Sequence, residues 1–239
     1  IVDEAHRLKE KSGLYGNKGE NQIKEAINAS KFSIFFLDEY QRIDIKDIGS
    51  KEEIRKHAKK LGAKIYEGKL ESQFRCGGSD GYLEWLDDVL EIHDSANFDG
   101  FDLNYDIKIF NDPNKLRKSI EQKNKKNNHS RLLAGYCWEW PTKTKGRTEF
   151  HDINIPEKKF SMSWNLNTTT TWLIDENSIN EVGCIHTSQG LELEYAGIII
   201  GPDLRFKNGK VITDYTKRAK SDYSLRGIKT LAKKNPKKA

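Results

Sequence analysis

Four short stretches of the sequence combine residue types that could act on a nucleotide. The first is Asp3-Glu4-Ala5-His6, an acidic pair directly after Ile1-Val2. Phosphoryl transfer to water needs a metal near the β- and γ-phosphates and a group that orients the attacking water. Asp3 at a strand tip suits the magnesium shell, usually through a water. Glu4, one residue on, can reach the water in line with the γ-phosphate. A helix N-cap carrying an exposed acid would use the same residues. The second stretch is Asp38-Glu39-Tyr40-Gln41-Arg42, at the end of the apolar run Phe32–Leu37. Parallel sheets place ligands at the carboxyl ends of their strands, so both tips could face one crevice. The Gln41 amide can donate to a γ-phosphate oxygen or to the attacking water, or be a polar loop residue and nothing more.

The third stretch is "ESQFRCGGSDG". Arg75 follows an apparent strand end and precedes a Gly-Gly turn. A fixed arginine suits charge on a transferring phosphoryl group, and a surface salt bridge is the plainer alternative. The fourth is "VGCIHTSQGLELEYAGIIIGPD". Its turn, Thr187-Ser188-Gln189-Gly190, can hold a nucleic-acid phosphate by hydroxyls and backbone N–H groups, and Glu192 could accept from a ribose hydroxyl. An ordinary β–α turn with a helix cap also fits. Trp140 is the tryptophan placed to stack on an unpaired base, although tryptophans more often belong to cores.

The elements that must position these residues alternate. Phe32–Asp38, Tyr105–Phe110, Arg131–Trp138 and Tyr195–Leu204 are apolar runs of strand length. Ser50-Lys51-Glu52-Glu53 forms a capping box that predicts a helix to Leu61. Asp112-Pro113 supplies an N-cap and a first-turn proline, predicting a helix to Lys126. Glu20–Ala29 and Asp80–Ile92 also have helical spacing. This alternation predicts an α/β fold with a mainly parallel sheet. Glu139–Lys159 is polar, turn-rich and carries two prolines, so it reads as a loop insertion or hairpin. Thr168–Thr171 reads as strand or strand edge.

Composition narrows the class. The 239 residues are 36% hydrophobic and 32% charged, which suits one large domain or two smaller ones. No apolar run approaches a membrane span, and no signal peptide opens the chain. Cys76, Cys137 and Cys184 are far apart and form no CxxC pair, which argues against structural zinc and for reduced thiols in a cytoplasmic protein. The net charge of +5 is unevenly placed. Six basic residues and no acids lie between Arg226 and the C-terminus, and the remainder is net −1. A solvated tail explains that as well as a phosphate-binding patch does.

Taken in order, DEAH, "LDEYQR", "QFR" and "HTSQGLE" resemble superfamily 1 helicase motifs: Walker B, the Gln-bearing third motif, an arginine motif and the fifth motif. The wording is closest to the bacterial Schlafen group-3-like DNA/RNA helicase domains, and the resemblance covers almost the whole chain. It implies a P-loop NTPase fold of two RecA-like domains, residues 1–76 and 77–239, with ATP and Mg2+ at their interface. It implies Asp3 near magnesium, Glu4 as catalytic base, and Gln41 and Arg75 as γ-phosphate sensors. Thr187, Ser188, Gln189 and Gly190 would couple nucleotide to single-stranded DNA or RNA, Glu192 would lie on the ribose, and His6 and Arg7 would serve an interdomain relay. The GxxxxGK[ST] loop and the late second arginine motif are missing from the sequence. The chain therefore resembles the middle of a helicase whose Walker A segment and last motif lie elsewhere in its parent, and by itself it is expected to be inactive. A switch ATPase that does not translocate, and a non-catalytic nucleic-acid-binding module, are the alternatives.

Overall fold

The structure, a computed structural model, describes residues 1–13, 16–70, 80–92, 105–166 and 171–235. Among them the α-helices are α1 (Gln22–Asn28), α2 (Lys51–Lys60), α3 (Asp80–Val89), α4 (Pro113–Asn124), α5 (Ile185–Ser188) and α6 (Ile228–Lys234). The strands are β1 (Ser130–Ala134), β2 (Ile153–Ile155), β3 (Phe160–Trp164), β4 (Glu181–Gly183), β5 (Tyr195–Ile199), β6 (Leu204–Lys207) and β7 (Lys210–Thr213). The chain divides into two compact units, residues 1–69 with 222–239, and residues 70–221. The expected boundary at 76/77 lies outside the described residues.

The second unit holds a five-stranded sheet in the order β2-β3-β4-β1-β5. β3, β4, β1 and β5 run parallel, and β2 closes one side as an antiparallel hairpin with β3. The fold is thus α/β with a mostly parallel sheet. Its core gathers Leu132, Ala134, Phe160, Met162, Trp164, Val182 and Ile199, with Ile120 of α4 packed against them. Helix starts follow their caps. The Asp112 carboxylate accepts from the Asn114 N–H at 2.9 Å with Pro113 in the first turn, and Ser50 Oγ accepts from the Glu53 N–H at 3.1 Å.

In the first unit, Val2 and Phe35 pair in parallel through Val2 N–H to Ile34 O and Phe36 N–H to Val2 O, at 2.8 and 2.9 Å. Two expected strands are corrected here. Residues 32–38 make only that bridge, and Phe32, Ile34 and Phe36 are exposed; residues 105–110, in the second unit, join no ladder among the described residues. An apolar run specifies an extended chain, whereas a strand also needs a paired neighbour. The run 195–204 breaks at Pro202 into β5 and β6, and 131–138 leaves the sheet after Ala134. Thr168–Thr170 lie outside the described residues, and Thr171 opens a turn rather than a strand. No helix among the described residues is long and apolar enough to cross a membrane.

Candidate functional site

In the first unit, the parallel pair delivers two polar tips side by side. The Ala5 N–H donates to Phe36 O at 2.8 Å, so the chain stays in register until the acids. Glu4 then takes a left-handed conformation, φ 51° and ψ 40°. A non-glycine residue rarely sits there, and such strain concentrates at functional positions. The turn is closed by the Glu4 N–H donating to Asp3 Oδ1 at 2.9 Å.

His6 joins the tips. Its side chain is 2% exposed, its Nε2 lies 3.1 Å from Glu4 Oε2, and its Nδ1 accepts from the Asp38 N–H at 3.4 Å. With Nδ1 accepting, a neutral ring carries its proton on Nε2, on the side of the Glu4 carboxylate. Asp38 in turn accepts the Tyr40 N–H at 3.0 Å and the Gln41 amide at 2.9 Å. Hydrogen bonds thus link His6 to Asp38 and Asp38 to Gln41, and the Glu4 carboxylate lies within 3.1 Å of the buried His6 Nε2 without an aligned hydrogen bond. Arg7, on the same short helical turn as His6, is exposed.

A third segment clamps this arrangement. Residues 47–49 run antiparallel to 8–9, with the Ile48 N–H on Leu8 O at 2.7 Å. A Cβ on Gly49 would sit 1.8 Å from Ala5 O and 2.6 Å from His6 Cα, so only glycine lets the acidic turn pack there. Just beyond, the Lys51 N–H donates to Glu39 Oε1 at 3.1 Å, tying the start of α2 to the second tip. Sequence reading missed Gly49, because one glycine before a helix cap looks like an ordinary turn residue.

The donor set fits a magnesium–nucleotide complex. Magnesium takes one or two carboxylates plus phosphate oxygens and keeps several waters, so it needs no cage of protein ligands. Asp3 is exposed with one oxygen committed to the Glu4 N–H, and no cluster of three acidic, His or Cys side chains forms a metal cage among the described residues. Arg75 lies outside the described residues.

In the second unit, the loops leaving the carboxyl ends of β1, β3, β4 and β5 converge. At the end of β4, Gly183 must be small, because a Cβ there would meet the Trp172 ring at 2.5 Å and Thr187 Oγ1 at 2.9 Å. The Thr187 hydroxyl accepts from the Cys184 N–H at 2.7 Å and donates to Cys184 O at 2.8 Å. Ser188 Oγ also turns inward, 3.2 Å from Cys184 O. Both hydroxyls thus shape the loop, leaving Gln189, Gly190 in a left-handed turn (φ 79°) and the exposed Glu192 at its outer end.

Residues not singled out from sequence surround this loop. Asn165, after β3, is 4% exposed, donates to Cys184 Sγ at 3.1 Å, and has a buried Oδ1 with no hydrogen-bond partner. Tyr136, after β1, donates to the same sulfur at 3.7 Å and packs edge-on against Trp164. The half-buried Trp140 ring lies between Trp164, 5.8 Å away, and the Lys145 ammonium at 4.5 Å, with its indole N–H buried and unpartnered. Beside them the Cys137 thiol donates to Asp203 Oδ1 at 2.6 Å, and Arg218 pairs with the other Asp203 oxygen at 3.3 Å. Burial first, and this carboxylate second, push the thiol up to about 12. The raised value fits its place as a neutral hydrogen-bond donor to Asp203.

The family model described as Schlafen group 3, DNA/RNA helicase domain, matches residues 1–239. An uncharacterized protein of Saccharomyces cerevisiae is 25% identical over 228 residues, covering 86% of this chain and 49% of the yeast protein. The chain thus spans about half the length of that curated relative. No solved structure gives a significant match.

Proposed function

This chain belongs to the Schlafen group 3 DNA/RNA helicase domain family, and from that premise we propose that it is part of a nucleic-acid-dependent ATPase of the helicase type. The observation that carries the reading is the linked pair of strand tips, in which His6 lies beside Glu4 and is bonded to Asp38 and through it to Gln41. In this reading Glu4 accepts the proton of the attacking water, and the Nε2–H of His6 faces its carboxylate. Gln41 sits on the γ-phosphate, so a change there is felt by Asp38, His6 and the base. Asp3 contributes to the shell of a magnesium ion, whose chemistry is to neutralise charge on the β- and γ-phosphates. Arg75 belongs to the same phosphate site by sequence.

The proposal assigns strand contacts to the loop after β4, through Ser188, Gln189 and Gly190, with Thr187 holding the loop shape, Glu192 toward the ribose and Trp140 at its side. We further propose two RecA-like domains, 1–76 and 77–239, and phosphate-loop and second arginine segments supplied by the parent protein. The protein is read as cytoplasmic, acting on single-stranded DNA or RNA.

The test is ATP hydrolysis by the full-length protein with and without single-stranded DNA and RNA. Stimulation by a strand is expected, together with no turnover by residues 1–239 alone. Hydrolysis that no strand accelerates would favour a switch ATPase that does not translocate. Absence of both hydrolysis and strand binding in the full-length protein would reduce the chain to a module of another kind.

A further inference from the structure

We infer that the outer face of α4 is a second contact surface for the phosphate backbone of nucleic acid, separate from the loop after β4. The inference rests on the nucleic-acid reading above and adds a location to it. Charge is the first observation. Residues 113–129 hold Lys115, Arg117, Lys118, Lys123, Lys125 and Lys126 against the single acid Glu121, a net +5. Residues 226–239 are net +6, and the whole chain is +5, so everything else is net −6. The positive charge is therefore not confined to the C-terminal tail. It forms two islands in an acidic chain, and a helix rigidly packed on the core carries one of them.

The second observation is how these cations are presented. Ile120 is buried in the core and Leu116 packs beside it, which turns the opposite face outward. On that face Lys115, Lys118, Gln122 and Lys125 recur at three- and four-residue spacing, and all four are exposed, as is Lys126. Arg117 is paired with Glu121 at 2.7 Å and Lys123 sits 4.2 Å over the Tyr195 ring, so those two are committed. Lys115, Lys118, Lys125 and Lys126 have no ion-pair partner within 4.0 Å among the described residues. From Lys115 to Lys125 the stripe is about 15 Å long at 1.5 Å per residue. Several successive phosphates, at about 3.4 Å of axis each along one strand, would fit that length.

Position is the third. The Asn114 amide donates to Lys158 O at 2.8 Å, just before β3 begins. The Asn124 side chain accepts the N–H of Ser130, where β1 begins, at 3.1 Å, and Lys123 covers Tyr195, where β5 begins. The helix thus crosses from the hairpin side of the sheet to its far edge, touching the beginnings of strands. The loop after β4 lies at the strands' other ends. Lys158 and Lys159, both exposed, extend the basic surface past the start of α4. A chain of phosphates is the partner that such a row of unpaired lysines complements, by counterion release and without base readout.

The experiment measures affinity of the full-length protein for a fluorescein-labelled single-stranded 30-mer and for a blunt duplex, each across a salt series. Lys115, Lys118 and Lys125 are changed together to Gln, which keeps helix propensity and removes only charge. The slope of log affinity against log salt is expected to fall in magnitude by about 2, at about 0.7–0.9 per lost phosphate contact. Lys118→Gln alone is expected to give about one third of that, with melting temperature unchanged in both. Removing the same charge from the tail, as Lys229, Lys233 and Lys234 to Gln, is the control and is expected to move the slope less. An unaltered slope in the α4 variants overturns the inference, and would leave the face to an acidic protein or to solvent. Equal losses in the α4 and tail variants also overturn it, since net charge alone would then suffice. If the wild-type protein binds neither probe, the nucleic-acid reading itself fails.

Discussion

The two ends of the parallel sheet in the second unit differ in how they hold their buried polar groups, although Ser130 Oγ, where the strands begin, is itself buried without a partner. Where the strands begin, Arg131 is fully buried, yet every part of its guanidinium is bonded. Its Nε donates to Ser178 Oγ at 2.7 Å, and its terminal nitrogens reach Asn124, Asn128, Ser130, Leu173 and Asp175. Its charge faces Asp175 and Glu181, the latter holding the Trp172 indole N–H. Where the strands end, Asn165 Oδ1 and the Trp140 indole N–H are buried without partners, and the loop after β4 projects its residues outward. Saturated polar groups specify a fold; a buried group left without a partner costs about 1–3 kcal/mol. In the first unit the acidic and glutamine tips likewise lie past the carboxyl ends of a parallel pair, though there Asp38 and Gln41 are bonded to each other.

The comparison breaks first at Arg131. Replacing it by Met strands several acceptors and the buried Glu181, and is expected to lower stability by about 3–5 kcal/mol. Urea unfolding of the full-length protein checks this; a loss under 1 kcal/mol would show that the Arg131 network does not hold the fold. At the opposite end, Thr187→Val removes the hydroxyl that caps α5, and about 1 kcal/mol of stability should go with it. Strand affinity should change less than stability, because that hydroxyl already spends its hydrogen on Cys184 O. A tenfold loss of affinity at unchanged melting temperature would instead make Thr187 a direct ligand.

Cys137 sharpens the contrast with the smallest effect. It stands at the strand-end side but is chemically silent. At pH 8 a thiol at about 12 is ionised roughly one part in ten thousand, so alkylation should run about a thousandfold slower than for an ordinary cysteine. Its rate should keep rising about tenfold per pH unit through pH 9–11, where a free thiol has levelled off. The raised folded-state value also means that the unfolded chain loses this proton first, so stability should decline as pH climbs past the ordinary thiol range. Mass-spectrometric labelling separates Cys137 from the other two thiols. Rapid modification at pH 8 would remove the neutral Cys137–Asp203 bond from the account.

Much of the fold was legible because its signals are local. Ser50, Asp112 and Pro113 mark helix starts that caps alone dictate, and the apolar runs that include Leu132–Ala134 of β1 and Tyr195–Ile199 of β5 announce strands of the parallel sheet. β3 and β4 were not legible. "FSMSW" carries two serines, and Ser163 is buried only because its hydroxyl reaches Phe150 O at 2.8 Å; "EVG" is too short to show a period. Arg131 would be placed on the surface by type, and only its partners, up to 50 residues away in sequence, explain its burial. The acidic and glutamine tips were found from sequence, but the His6 link and the Gly49 clamp were not, since both depend on segments that meet only after folding.

The central claim is that chemistry sits at the strand ends, with Glu4 as the base. The most direct measurement is ATP binding and single-turnover hydrolysis by the full-length protein carrying Glu4→Gln. That change keeps the side chain's shape and a hydrogen-bonding oxygen for His6 but removes the proton acceptor. ATP should bind as in the wild type while hydrolysis falls by about 10²-fold or more. Near-normal hydrolysis with normal binding would contradict the account.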